Sequence, residues 1–196
     1  MPAHLFLLRD IMMGWIIGGI LVVVLIVLVL WFVGIYNRFQ SLKNSSQATL
    51  GQIRVAMKKR LDMINQLLGS VQSYAKFENE TLEAVTKMRS GVGTAGPGDL
   101  NEIEAQSKSI LGRLFAVVES YPDLKTVTVV TQLTSSIRSI EDEIGRQRYT
   151  FNNISEQYNT MCDTIPSNIV ASLGHFSKLE YLTFEEEIEQ APKIAF

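Results

Sequence analysis

The chain has 196 residues, 46% of them hydrophobic, and a formal net charge of -2. That length accommodates one membrane anchor and one helical domain of roughly 150 residues, and it excludes a second large domain. With 18 Lys and Arg against 20 Asp and Glu, no global field calls for nucleic acid, so charge arguments rest on local distribution. The single cysteine, Cys162, excludes a disulfide-stapled scaffold, and its place on an apolar helical stripe makes it a core thiol.

After a short N-terminal segment, residues 1–10, no charged side chain occurs from Ile11 to Asn37. Residues 11–36 are therefore long and apolar enough for a transmembrane helix. Trp15 lies near one end and Trp31 with Tyr36 near the other, where amphipathic rings sit at headgroup level. A cleavable signal peptide would have a shorter apolar run and a small-residue cleavage site, and VGIYN offers none. Arg9 is flanked by Asp10, whereas Arg38, Lys43, Arg54, Lys58, Lys59 and Arg60 follow the span with no acid before Asp62. This bias predicts a single-pass cell-membrane protein with its N-terminus outside and its C-terminal domain cytoplasmic. Arg54, Lys58, Lys59 and Arg60 are candidates for contact with anionic headgroups, the alternative being that they only set topology. Gly14 and Gly18 form a GxxxG pair that permits close approach of two spans.

Residues 37–175 read as a helical bundle. Leu50, Ile53, Met57, Leu61, Ile64, Leu68, Val71, Ala75, Leu82, Val85 and Met88 recur at helical spacing. No proline interrupts Asn37–Arg89, which predicts a long first helix, with the polar run Ser41–Gln47 as the place for a break. Gly91–Asp99, rich in glycine, is a loop, and Asp99 with Glu102 has capping-box spacing for a second helix. That helix carries Leu100, Ile103, Ile110, Leu111, Leu114, Val117 and Val118 and closes at Tyr121 before Pro122. A third opens near Asp123 or Leu124 and runs through Val127, Val130, Leu133, Ile137, Ile140, Ile144, Phe151, Ile154, Tyr158 and Met161. Its TVTVVT stretch favours a strand in isolation, but the stripe stays in helical register through it. A short fourth helix, Ser167–Leu173, stops at Gly174. Residues 176–196, with Glu180, Glu185, Glu186, Glu187 and Glu189, form an acidic C-terminal tail expected to be solvated, or to meet the basic Arg54–Arg60 segment.

Nothing in the chain assembles into a catalytic motif. His4 and His175 are far apart without ligand-spaced neighbours, which argues against a zinc site. There is no GxSxG, HExxH, Walker A or GxGxxG, and no cofactor is expected. Charged or polar residues that flank or interrupt the stripes, namely Arg60, Glu78, Arg89, Glu141, Arg148 and Asn152, form a candidate structural polar network, since a buried charge requires partners.

The chain resembles the LemA family. The resemblance is carried by Tyr36-Asn37 after the span, KKRLDMINQLLGSVQSYAKFENETLEAVTKMR, ESYPDLK from Glu119 to Lys125, and RYTFNNISEQYNTMCDTIPSNIVA. It departs where the family pattern has Ala-Trp and Ile-Asp pairs, here Thr49-Leu50 and Ile53-Arg54. The resemblance implies an all-α protein: an N-terminal transmembrane helix followed by an antiparallel four-helix bundle with a long first helix and no established enzymatic activity. It points to a membrane-anchored, non-enzymatic scaffold, a homo-oligomer acting on membrane lipids in membrane organisation or curvature. The alternative is a tethered adaptor for a membrane protease or another membrane protein in envelope signalling.

Overall fold

The computed structural model describes residues 3–75, 77 and 79–183, with side chains from residue 13 onward. Among them the chain is all helical: α1 (Ala3–Val71), α2 (Asn79–Gly91), α3 (Pro97–Ser120), α4 (Pro122–Thr126), α5 (Thr128–Asp163) and α6 (Ser167–Leu173). Helix α1 has 69 residues, about 104 Å at 1.5 Å per residue.

Its apolar portion is long enough to cross a membrane by length and composition. Every residue from Met13 to Trp31 is exposed. The expected break at Ser41–Gln47 does not occur. Thr49 donates to the Ser45 carbonyl at 2.9 Å, Ser46 and Thr49 are buried, and Phe39 and Leu42 pack against the C-terminal helices. The polar run is thus held by the packing of Phe39, Leu42 and Ser46.

The long first helix ends earlier than its stripe. The chain turns after Val71, whose carbonyl accepts from the amides of Tyr74 and Ala75 at 3.0 Å, and α2 then buries Val85 and Met88. Between Ala75 and Leu82 the stripe lapses for about two turns. Among the described residues of that stretch only Phe77 and Thr81 reach the core, too little to hold a continuous helix there, since most helix stability comes from packing.

The α2–α3 loop is shorter than Gly91–Asp99. Pro97 occupies the first turn of α3, where its missing N–H costs nothing. Gly96 is the N-cap, its amide donating to Asp99 Oδ2 at 3.0 Å, so Asp99 is the third helical residue rather than the cap. Helix α3 closes at Tyr121, extended before Pro122 as expected. The third predicted helix is divided at Val127 (φ -73, ψ 112) into α4 and α5. Local β-branched preference thus prevails for one residue of TVTVVT.

Helices α1 and α5 share the longest contact. Phe39 meets Tyr158 edge-on with ring centroids 5.3 Å apart, and Arg60 meets Glu141 at 2.9 Å, so positions rise along α1 as they fall along α5. The main core gathers Ile53, Met57, Leu61, Ile64, Leu68, Leu114, Ile137 and Ile144. A second cluster lies where α1 leaves its apolar segment: Phe39, Tyr158, Val170 and Ala171, with Phe32, Ile35, Leu42 and Phe176 against them.

Candidate functional site

Arg60 is the largest side chain completely enclosed by the fold. It reaches α3 and α5 at once: Nη2 donates to Glu104 Oε2 at 2.9 Å and to Ser107 Oγ, and Nη1 donates to Glu141 Oε1 at 2.9 Å. Glu104 Oε1 in turn pairs with Arg148 Nη1 at 3.2 Å and Lys108 Nζ at 3.4 Å. Burial pushes the Glu104 carboxyl up, but the charge and hydrogen bond of Arg60, then Arg148 and Lys108, outweigh it and hold the group below the ordinary carboxylate value. The cluster joins α1, α3 and α5 through charge-assisted bonds. Its one hydroxyl, Ser107 Oγ, donates to the Ile103 carbonyl at 2.6 Å.

Of the residues predicted for this network, Arg60, Glu141 and Arg148 come together. Glu78 lies outside the described residues. Arg89 pairs with Asp62 at the surface instead. Glu104, Ser107 and Lys108 were not predicted. Their signal was the lapse in the α3 stripe between Ile103 and Ile110, where helical spacing puts positions 104 and 107 on the inner face.

Asn152 belongs to a different device. Its Nδ2 donates to the Leu182 carbonyl at 2.6 Å and its Oδ1 accepts from the Leu182 amide at 2.8 Å. Asn159 does the same to Leu179, at 2.9 and 2.8 Å. The two asparagines are seven positions apart, about 10.5 Å along a helix. Leu179 and Leu182 are three apart, about 10 Å in extended chain. This match of rises ties residues 176–183 along α5. Leu182 is 2% exposed, and the Thr183 amide adds a bond to Asn101 at 3.1 Å. Residues 176–183 are therefore held to the bundle by their backbone, while Glu180 stays exposed as expected. Glu185, Glu186, Glu187 and Glu189 lie outside the described residues.

The basic segment is mostly engaged internally. Arg60 is buried. Arg54 donates through Nε and Nη2 to the Ala95 carbonyl at 2.9 and 2.7 Å, pinning the α2–α3 loop. Lys58 and Lys59 are exposed, but they lie about 33 Å along the continuous helix from Tyr36. Even at a tilt of about 40° they would stand some 25 Å from the end of the apolar segment. Arg54 and Arg60 are thus removed from the predicted headgroup patch by internal bonding, and the two lysines by height.

Gly14 and Gly18 sit on an open surface, a Cβ at either meeting nothing within 4 Å. With Trp15, Gly19 and Val22 they line a shallow notch on the apolar helix. Among the described residues, no group of three or more His, Cys, Asp or Glu is placed to hold a metal ion. Burial, and then Asp163, push the Cys162 thiol above its ordinary value, which keeps it unreactive. His175 follows α6 at φ 53.

The model of the LemA family matches residues 49–196. Protein LemA of Metamycoplasma hominis is 32% identical over 142 residues, covering 71% of this chain and 65% of that protein. The chain belongs to the LemA family. It is also similar to magnetosome protein MamQ 2 of Paramagnetospirillum magneticum, 26% identical over 179 residues, covering 78% of the chain and 65% of the relative. Magnetosome protein MamQ of Magnetospirillum gryphiswaldense is 23% identical over 173 residues, covering 74% and 64%. The alignments thus take in just under two thirds of the length of these curated relatives. As a LemA-family protein the chain joins relatives that are not known enzymes, and its long apolar helix fits a membrane-associated helical protein.

Proposed function

We infer that this LemA-family chain is a membrane-anchored, non-enzymatic scaffold. The apolar part of α1 crosses the bilayer, and α1, α2, α3 and α5 form an antiparallel four-helix bundle on the cytoplasmic side. Copies associate through the glycine notch of their spans and together organise or curve the membrane. One observation carries this reading: a single helix passes from a run of exposed apolar residues, Met13–Trp31, straight into the core at Ile53, Met57 and Leu61. Such a run has far more exposed apolar surface than a soluble monomer tolerates, and a bilayer supplies its solvent. Open space at Gly14 and Gly18 supports close packing of spans. The magnetosome relatives, proteins named for a membrane-bounded organelle, support a role in membrane organisation.

The test is oligomeric mass in detergent by light scattering, for the full chain and for G14L/G18L. The expected outcome is an assembly of several copies that shifts toward monomer in the variant. A strict monomer in the unaltered chain refutes association. Extraction of the chain from membranes by carbonate refutes the anchor.

A further inference from the structure

The short helix α6 is apolar on both sides. Val170 and Ala171 turn inward and are buried. On the opposite face Ile169 and Leu173 lie four apart, 56% and 66% exposed, and Ile165, in the turn just before the helix, is 83% exposed. Single exposed aliphatic residues are ordinary, but Ile169 and Leu173, one turn apart on the helix, make a ridge that Ile165 leads into from the preceding turn. No ionisable side chain occurs from Thr164 to Gly174, so the ridge lacks the charges that normally solubilise such a face.

Its height in the fold indicates what covers it. The inner face of α6 belongs to the same apolar cluster as Phe32 and Ile35 of the membrane-spanning segment. Phe176 folds back after α6, its amide donating to the Ala171 carbonyl at 2.9 Å. Its ring lies 5.4 Å from Tyr36 and 4.7 Å from Phe39. Helix α6 is thereby fixed beside residues 32–39, where the apolar run of α1 ends and the first cation after it, Arg38, is exposed. A helix end at that level lies in the headgroup layer, not above it.

We propose that α6 is a membrane-contacting foot: Ile165, Ile169 and Leu173 insert into the outer acyl region of the leaflet from which the bundle emerges. The occupant of this face is lipid, and the recognising chemistry is aliphatic burial at the interface with Arg38 at headgroup level. The foot places apolar volume on one side of the span and in one leaflet only, the geometry of a wedge. This inference rests on the reading that α1 crosses the bilayer, and it replaces the distant Arg54–Arg60 segment as the surface that meets the membrane.

The test uses the full chain in vesicles of phosphatidylcholine and phosphatidylglycerol, in a C162S background. An environment-sensitive fluorophore is attached to single cysteines at I169C, I165C, V24C or K58C. All four native side chains are exposed or face lipid, so the fold should tolerate the labels. Lipids brominated near the headgroup end of their chains report shallow insertion, and aqueous iodide reports exposure. The expected result is blue-shifted emission for I169C and I165C, quenched by the shallow bromolipid and shielded from iodide. V24C should respond to deep bromine, and K58C to iodide alone. Iodide quenching of I169C with V24C still deep in lipid overturns the foot and leaves the span intact. Shielding of I169C from both quenchers also overturns it, because a second copy then covers the face. Iodide quenching of V24C overturns the membrane-spanning reading itself.

Discussion

Replacing Arg60 by Met removes one guanidinium and leaves Glu104, itself 5% exposed, without its nearest partner. Breaking a buried pair from one side costs about 3–5 kcal/mol. Glu104 retains Arg148 at 3.2 Å and Lys108 at 3.4 Å, so the lower figure applies, about 3 kcal/mol. For a domain of this size that lowers Tm by about 6–12 °C. Circular dichroism of the full chain in detergent reads the shift. The exposed Arg89–Asp62 pair provides the contrast, since R89M should cost below about 1 kcal/mol.

Two further measurements isolate the electrostatic cause. R60M/E104Q should be less stable than R60M, because the second change takes from Arg148, itself buried, and from Lys108 the carboxylate they still share. In the unaltered protein the Glu104 carboxyl is held below its ordinary value of 4.5. Its contribution is therefore fully present above about pH 4.5 and lost as the pH falls through the lower folded value. In R60M burial, the largest influence on Glu104, acts with its chief opponent gone. The folded value rises, and the acid-side loss of stability should shrink or reverse. An R60M Tm within about 2 °C of the unaltered chain refutes the argument, as does a double variant more stable than R60M.

N152A deletes both hydrogen bonds to Leu182, worth about 1 kcal/mol each. The Leu182 amide should then exchange about 30-fold faster by hydrogen–deuterium exchange, while core amides of α5 hold their rates. Unchanged exchange at Leu182 would mean that burial alone retains the strap. At Gly174 an added Cβ would stand 2.6 Å from Phe176 Cε2 and 3.1 Å from the Val170 carbonyl. G174A should therefore displace the ring from its stack on Phe39 at a cost of about 1–3 kcal/mol. A melting temperature equal to that of the unaltered chain would show that the ring moves freely.

Helix identity was legible wherever the apolar stripe was long. The stripes through Leu100 to Val118 and Val130 to Met161 fall within two or three residues of the observed ends of α3 and α5, although the break at Val127 moves the start of α5 from the expected Asp123 or Leu124 to Thr128. The boundaries that failed are those set by tertiary balance. The turn after Val71 carries no proline, and only the thin stretch between Ala75 and Leu82, where Phe77 is the one large apolar residue, hints at it. At Val127 one β-branched residue wins against a helical register, a contest too close for propensity to decide. The charge cluster was half visible. Arg60, Glu141 and Arg148 stood out as charges on inward positions, but Glu104 reads as a surface acid unless Ser107 is recognised as filling the same lapse in the stripe. The strap was hidden for a different reason. Asn152 and Asn159 bind backbone atoms, and no side-chain pattern in residues 176–183 announces that their main chain will be held.

Because α1 runs unbroken through Ser41–Gln47 to Val71, the chain has no elbow at the water's edge. The 35 positions from Tyr36 to Val71 form an arm of about 52 Å. A lean of about 20° in the buried part swings the far tip sideways by about 18 Å. In the proposed membrane-anchored assembly, small changes in how neighbouring anchors cross would become large displacements of the bundle crowns, and a shift in lipid thickness would reach the core as a change of angle rather than being absorbed at a joint.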